Sequence, residues 1–458
     1  MSVIAVYLAV VTSILVSSGA STLLPAAAQQ IGGMDIYSMA MTLSGVSSVA
    51  LMPLYGYMGA RYPAVKRPLF AASLLIAAVC IFLRGIAPTM WVIVIPSFFL
   101  GMYSPSIYIL GYSMIRNMYD QKQAGVYLGI VGTMQSIGLL LGPVATGVLI
   151  QTAGWRVVNF AFFPLFAIAA ILMFFGCKVT QEEVKSMSFV HGKFDYPGAF
   201  AVVMFLASLI LALSLGQRAP FGSPLNNTLF IISAAAFIAL ILVIRKKGVD
   251  AFLPAPVLRD KNTLCLTAAN FFSVFSSMAI TFFLPMYIML VMKHEPTAAG
   301  MSISVYAIAG LFMGPIFGRM IGKAGNARSV IMWGSGALRC LIQVAFMFLL
   351  TPNTSLWTIY GLMFIAGFYS VAGGVSPAVA PQIQIKAEIR QQGNSVIQLG
   401  QNFGGAVSIA VYTAVITAMG PEDGFPVGLA IAAVAAAIVF VVAIPLKRLE
   451  ASTPSQSV

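Results

Sequence analysis

Residues 124–150 read AGVYLGIVGTMQSIGLLLGPVATGVLI, a stretch without a single charged side chain. An apolar stretch of about 18 residues or more can cross a ~30 Å hydrocarbon core as a helix. Thirteen similar stretches lie before and after it, separated by short connectors, and the whole chain is 60% hydrophobic and 8% charged. The sequence therefore predicts an all-α integral membrane protein.

We predict fourteen transmembrane helices, numbered as spans in chain order. The spans are residues 3–24, 37–58, 68–86, 90–115, 124–150, 156–176, 196–216, 227–245, 264–291, 299–321, 329–350, 355–380, 393–418 and 425–446. The longest polar connector, Lys178 to Asp195, is too short to bury a core of its own. We expect no separate soluble domain.

The position of the basic residues predicts the orientation. The net charge is +13. Most of the Lys and Arg fall on one side of the predicted spans, whereas Arg84, Arg156, Arg218 and Lys293 fall on the other and Arg339 falls within a span. By the positive-inside rule, both termini are cytoplasmic. The charge then contacts anionic lipid headgroups of a cell membrane, and no nucleic-acid partner is needed.

An internal repeat follows two of the spans. The segment Gly56-Tyr-Met-Gly-Ala-Arg61 ends span two, and Gly318-Arg-Met-Ile-Gly-Lys323 ends span ten at an offset of 262 residues. Both lie in a predicted inner loop, where glycines permit close helix approach and cations face the cytoplasm. The resulting inner-loop motif comprises Gly56, Arg61, Lys66, Arg67, Gly318 and Lys323.

The offset predicts duplicated halves with an insertion. It covers eight spans, so spans seven and eight are extra to a pair of six-helix halves. We predict an N-terminal half at 1–177, a linker with two extra helices at 178–261, a C-terminal half at 262–450 and a cytoplasmic tail at 451–458. Parallel halves of this kind are typical of alternating-access carriers, with substrate near the midplane.

Span five contains the most specific motif, Gly138-Leu-Leu-Leu-Gly142-Pro143-Val-Ala-Thr-Gly147. It resembles the antiporter motif G-x-x-x-G-P-x-x-G-G of the major facilitator superfamily. The following Gly-Trp-Arg at 154–156 is similar to the fourteen-helix drug:proton antiporter branch, and the resemblance covers essentially the whole chain. It implies the major facilitator fold. Physically, the glycines give a flat packing face and Pro143 removes a backbone donor, so we expect these residues to form a gate.

Departures from the family pattern are all losses of charge. Ala60 and Gly322 stand where the inner-loop motif usually has Asp, Ser97 where span four usually has Arg, and Val16 where span one often has Asp. All twelve acidic residues and both histidines lie in connectors or at span ends. Proton-coupled carriers normally titrate a group inside the membrane. Coupling, if present, is therefore expected through boundary acids such as Asp35 and Asp120 or through exchange of a counter-solute.

Arg339, near the middle of span eleven, has two interpretations. As a binding residue, it would be the counter-charge for an organic anion. As a packing residue, it would bond to backbone carbonyls or to Gln343 one turn away. By resemblance, its span supports the cavity-lining helices from outside, which favours packing.

The resemblance also nominates the first and fourth helices of each half, with the fifth helices behind them, as the walls of a substrate cavity. The polar and aromatic candidates there are Ser18, Ser21, Tyr108, Tyr112, Gln135, Ser276, Gln398, Gln401 and Asn402. The alternative is that they bond to neighbouring helices. A cavity of this composition, without fixed negative charge, suits a neutral or anionic amphiphile better than a cation.

These features predict a secondary transporter of a small organic molecule. Multidrug-like efflux is the first interpretation, and uptake of an organic anion such as a carboxylate is the second. A membrane enzyme or receptor is the remote alternative. No cluster of acid, His or Cys residues within the spans supplies an enzyme site, and fourteen spans with duplicated halves and no soluble effector domain do not suit a receptor. We expect a monomer without cofactor or metal, coupled to protons or a counter-solute.

Overall fold

The computed structural model describes residues 2–33, 36–119, 121–176, 195–215, 223–248, 251–294, 296–322 and 327–446. Fourteen long helices, one for each predicted span, make up this part of the chain. They are α1 Ser2–Ile31, α2 Tyr37–Arg61, α3 Lys66–Gly85, α4 Trp91–Met118, α5 Gln121–Ala153, α6 Trp155–Gly176, α7 Tyr196–Leu215, α8 Pro224–Lys247, α9 Lys261–Met289, α10 Pro296–Gly322, α11 Ala327–Leu349, α12 Leu356–Gln384, α13 Arg390–Ile416 and α14 Glu422–Ala443. The predicted all-helical membrane fold is confirmed.

Helix length and surface both fit a bilayer. Twelve helices are long and apolar enough to span it, and α7 and α12 contain shorter apolar segments, Tyr196–Ala212 and Leu356–Ser370. In a helix the backbone N–H and C=O groups bond to one another. This is required in a bilayer because lipid tails offer them no hydrogen-bond partner. Large apolar side chains such as Phe175, Phe348 and Trp357 are exposed on the outside of the bundle. Such exposure is typical of lipid-facing helices.

Three helices contain π-helical turns that the sequence analysis did not predict. They lie at Ser106–Gly111 in α4, Ala279–Phe283 in α9 and Val330–Leu338 in α11. A π-helical turn widens the helix and is frequent at functional sites. Two of the three occur in α4 and α9, which the family resemblance nominates for the cavity wall, and the third directly precedes Arg339.

The first and fifth helices of each predicted half pack through glycines. In α5, a β-carbon added to Gly142 would lie 3.2 Å from the Leu15 carbonyl oxygen of α1. In α13, a β-carbon added to Gly404 would lie 2.2 Å from the Phe271 carbonyl oxygen of α9. Gly142 and Gly404 are again 262 residues apart. The offset of the inner-loop motif thus also relates these two glycine contacts; the division into halves stays a prediction.

The inserted pair α7 and α8 is attached to α2 at one end. The buried Asp195 carboxylate accepts hydrogen bonds from Lys247 Nζ at 2.8 Å, the Gly198 amide at 2.9 Å and the Phe252 amide at 2.8 Å. The Phe252 ring stacks on Tyr57 of α2, with centroids 5.0 Å apart. Burial alone would raise the pKa of Asp195, but these three donors together hold it below its usual value.

Candidate functional site

One face of the bundle contains the helix ends with Arg61, Lys66, Arg116 and Arg390, and we call it the basic face. It corresponds to the face predicted to be cytoplasmic. Near it, α2 meets α13 and α5 meets α10. A β-carbon on Gly56 would lie 2.6 Å from Ser395 Cβ, and one on Gly318 would lie 2.5 Å from Gly129 Cα. Only glycine allows such approach, so the two copies of the motif make equivalent contacts with the opposite half.

Hydrogen bonds join the predicted halves in the same region. Gln391 Nε2 donates to the Ile109 carbonyl at 3.1 Å, and Asn394 Nδ2 donates to the Tyr108 carbonyl at 3.1 Å. Arg116 Nε donates to the Gln382 carbonyl at 3.3 Å. Together with the glycine contacts, these bonds close the path between the halves on the side of the basic face.

A cavity of about 300 Å³ lies beyond this closed region. Tyr108 and Asn402 line it near the middle of α4 and α13, and Leu24 and Ala40 line it near the ends of α1 and α2 away from the basic face. Its volume is at the lower end of the range of small-molecule sites. The wall also includes the hydroxyl-bearing residues Ser13, Ser17, Ser44, Ser48, Tyr103 and Ser104.

The single charged side chain among the described residues of the cavity wall is Arg84 of α3. It is 4% exposed, and its Nη2 donates to Ser97 Oγ at 2.7 Å. Its buried Nε has no hydrogen-bond partner among the residues that the structure describes. The ion pair found in the described part of the chain is Lys247–Asp195, so no described carboxylate contacts this guanidinium. Asp35 lies outside the described residues.

Arg84 was not among the residues that we predicted for the cavity. Its place near the end of span three assigns it, by sequence, to the outer connector. Position 84 lies within the predicted span three, residues 68–86, and this was the sequence signal for a cation inside the membrane. Span four has Ser97 where the family usually has Arg, but a positive charge is still present there. Arg84 of α3 donates its guanidinium N–H to the Ser97 hydroxyl of α4.

The predicted cavity residues separate into two groups. Tyr108 and Asn402 line the cavity. Gln135 Nε2 donates to the Tyr108 hydroxyl at 3.4 Å, and the ring of the buried Tyr112 lies 5.6 Å from the Tyr108 ring. These four residues are therefore at the cavity or directly behind it.

The other candidates whose side chains are described do not line the cavity. Ser18 donates to the Ile14 carbonyl at 2.6 Å, and the buried Ser276 contacts Gln343. The Gln398 carbonyl accepts a bond from Asn402, and Gln401 is half-buried in α13. Ser21 belongs to α1, but its side chain lies outside the description. Helical serines commonly bond to carbonyls of their own helix, which explains the position of Ser18.

The predicted gating residues form part of the seam between α1 and α5. A β-carbon on Gly138 would lie 2.6 Å from Ile14 Cβ, and one on Gly142 would lie 2.0 Å from Ser18 Oγ. One on Gly147 would meet nothing within 4 Å. The helix is continuous through position 143, although the Pro143 side chain is not described. Close packing thus involves the first two glycines of the motif.

Arg339 lies in a buried polar cluster that does not line the cavity. Its Nη1 donates to Ser273 Oγ at 2.7 Å and to the Ser273 carbonyl, and its guanidinium lies 4.6 Å from the Tyr369 ring centroid. Gln343 donates instead to the Ser276 carbonyl at 2.9 Å. Arg339 therefore connects α9, α11 and α12.

The inner-loop cations contact nearby hydroxyls and carbonyls. Arg61 Nε donates to the Tyr62 hydroxyl at 2.8 Å, Lys66 Nζ to Ser113 Oγ at 3.0 Å, and Arg67 Nε to the Met173 carbonyl at 3.2 Å. Lys323 lies outside the described residues. Lys66 and Arg67 thus join α3 to α4 and α6 close to the basic face, whereas Arg61 bonds to tyrosines at the end of its own helix.

Comparison with known proteins gives consistent matches. A family model described as Major Facilitator Superfamily matches residues 6–409 and 266–457. The MFS-type transporter gkaD of Penicillium citrinum is 25% identical over 81% of this chain and 64% of its own length. Multidrug resistance protein 3 of Bacillus subtilis is 23% identical over 84% of this chain and 73% of its own length.

Two further matches come from fission yeast and from a solved structure. Multidrug resistance protein fnx1 of Schizosaccharomyces pombe is 22% identical over 69% of this chain and 59% of its own length. The chain thus spans about six-tenths of the length of gkaD and fnx1. The human organic anion transporter MFSD10 has a TM-score of 0.67 at 13% identity, covering 96% of this chain and 98% of that one. At this identity, the likeness concerns the fold alone.

Proposed function

Because the chain belongs to the major facilitator superfamily, whose members are transporters rather than enzymes, we propose that it is a secondary transporter of a small organic molecule. The observation that carries the proposal is the cavity next to Tyr108 and Asn402, closed on the basic-face side and extending toward the opposite face. A site near the midplane with one closed side fits one state of an alternating-access cycle.

The equivalent glycine contacts provide a physical basis for the second state. Gly56 and Gly318 bring α2 onto α13 and α10 onto α5, and these seams must separate for the basic face to open. Since glycine seams contain little interdigitated side-chain volume, they can part without repacking large residues. A rocking motion of the two predicted halves would then expose the cavity to the basic face.

Efflux across the cell membrane is the direction we propose. Two relatives have names that describe multidrug resistance. With both termini cytoplasmic, the described conformation would be closed to the cytoplasm, as an exporter must be when it releases substrate outside. The transporter would act as a monomer in the bilayer without a cofactor. Coupling to protons would use boundary acids, and coupling to a counter-solute is the alternative.

A flux assay in reconstituted liposomes tests the proposal. The panel should contain labelled amphiphilic anions, cations and neutral compounds, with empty liposomes as background. Gly318→Leu should lower flux strongly because its side chain meets Gly125 and Gly129 at the closed seam. Gly300→Leu, on the same helix where an added β-carbon meets nothing within 4 Å, is the matched control. Wild-type flux equal to that of empty liposomes for every compound would reject the transporter.

A further inference from the structure

The guanidinium of Arg84 is a buried cation whose bonding capacity is largely unused. A guanidinium has five N–H donors. One described bond, from Nη2 to Ser97 Oγ at 2.7 Å, uses one of them, and the buried Nε has no partner in the described part of the chain. A buried charge is strongly unfavourable unless it is paired and hydrogen-bonded. The side chain therefore requires a further partner, and the cavity is the space it borders.

The second buried arginine of the bundle, Arg339, likewise has a buried Nε without a partner among the described residues, but its guanidinium has different surroundings. Arg339 donates to both oxygens of Ser273 and stacks on Tyr369, so three helices surround its guanidinium. It does not line the cavity. Arg84 rather than Arg339 is thus the cation that a molecule in the cavity can reach.

The remaining wall of the cavity suits one charged head and an apolar body. Ser44, Ser48 and Ser104 also line it, and each hydroxyl has one O–H donor for a bound molecule. Ser13 and Ser17 already donate to carbonyls of α1. The apolar part of the wall comprises Ile14, Val16, Leu24, Met41 and Leu100. No acidic side chain among the described lining residues would repel an anion.

We propose that Arg84 is the anion-binding residue of this cavity and that the cavity takes an amphiphilic monocarboxylate, with the carboxylate on the guanidinium. The proposal rests on the transport function and names its substrate class. A carboxylate matches the planar fork of arginine and can accept two parallel hydrogen bonds. It also supplies the opposite charge that the described protein groups do not. The Ser97 hydroxyl holds the guanidinium in position from behind.

Equilibrium binding of matched probes tests the proposal without requiring transport. We choose 2-naphthoate and 2-naphthamide, which share one ring system and differ in charge, and purified full-length protein in lipid nanodiscs. Wild-type protein should bind the naphthoate roughly 10- to 100-fold more tightly than the naphthamide, as expected for charge-assisted hydrogen bonds. Equal affinities in the wild type would overturn the proposal without reference to any variant.

Three variants locate the effect. Arg84→Gln should abolish the preference for naphthoate and leave naphthamide affinity unchanged, whereas Arg84→Lys should keep part of the preference. Arg156→Gln removes a cation on the same side of the bundle that contacts the Ala87 carbonyl and Trp155, and it should keep the full preference. A full preference in Arg84→Gln would also overturn the proposal. The naphthamide affinity of Arg84→Gln is the folding control. If it equals that of the wild type, the variant is folded.

Binding and flux measured together distinguish failure of the transporter assignment from failure of the Arg84 proposal. If wild-type protein binds naphthoate selectively but moves neither probe into liposomes, the binding site stands and the transporter assignment is in error. If flux occurs without charge preference in either binding or transport, the transporter stands and the role of Arg84 is refuted.

Discussion

The seam between α1 and α5 offers a sharp test of the gating role, because its glycines differ in their surroundings along one helix. We compare Gly142→Ala with Gly147→Ala. A β-carbon on Gly142 would lie 2.0 Å from Ser18 Oγ and 3.3 Å from Leu15 Cα, whereas one on Gly147 meets nothing within 4 Å. Both positions are interior to α5, so the intrinsic gain of alanine over glycine, about 0.5–1 kcal/mol, cancels between them.

The remaining difference is steric. In Gly142→Ala, the Ser18 hydroxyl must rotate away from the Ile14 carbonyl, losing a 2.6 Å hydrogen bond, and the Leu15 backbone must give way. Overpacking of this kind costs about 1–3 kcal/mol. If α1 lies this close to α5 in one transport state and not in the other, the equilibrium between states shifts by roughly 5- to 150-fold.

The assay is substrate flux in proteoliposomes, with the melting temperature measured on the same purified variants. We expect Gly142→Ala to transport at least fivefold more slowly than Gly147→Ala, and Gly142→Leu to be inactive or leaky while still inserted. Equal flux from the two alanine variants, at equal amounts of folded protein, would refute the reasoning that this contact is part of a gate.

Further predictions concern the charged residues. Asp195→Asn should destabilise the protein by about 1–3 kcal/mol by weakening the bonds from Lys247, Gly198 and Phe252. Because the pKa of Asp195 is depressed in the folded protein, this contribution is complete above pH ~4, the usual Asp value. It is lost as the pH falls through the lower folded pKa, so the difference in melting temperature from wild type should shrink there; an unchanged difference would contradict the assignment. Arg339→Gln should lower the melting temperature and leave the charge preference of transported substrates unaltered, whereas a stable variant with selectively lost anion binding would make it a binding residue. Flux driven by a pH gradient should be lost when Asp35 or Asp120 is neutralised, and its survival after neutralisation of every boundary acid would exclude this proton path.

The sequence predicted the helices well because each depends on local composition alone. An apolar stretch in lipid has few alternatives to a helix, so all fourteen spans could be placed from hydropathy. The π-helical turns at Ser106–Gly111 and Ala279–Phe283 had no such signal. They depend on how each helix packs against its neighbours, which composition does not encode.

The cavity was predicted less completely, and the reason is geometric. Helix assignment nominated Tyr108 and Asn402, which line the cavity, but also Ser18 and Ser276, which face neighbouring helices. One helix presents several faces, and a single sequence does not show which of them meets the space between the halves. Arg84 was missed because its long side chain carries the charge from α3 to Ser97 of α4, a displacement that linear position does not reveal.

The offset of the inner-loop motif relates some features of the two predicted halves and not others. The offset of 262 residues relates glycines that pack helices, such as Gly56 and Gly318. It does not relate the buried cations, since the same offset places Phe346 opposite Arg84 and Ala77 opposite Arg339. An exchange between two states requires equivalent seams on both sides of the cavity, whereas recognition of one small molecule requires a single charge at one place. The symmetry of the glycines and the asymmetry of Arg84 are therefore the division expected between the moving scaffold and the substrate site.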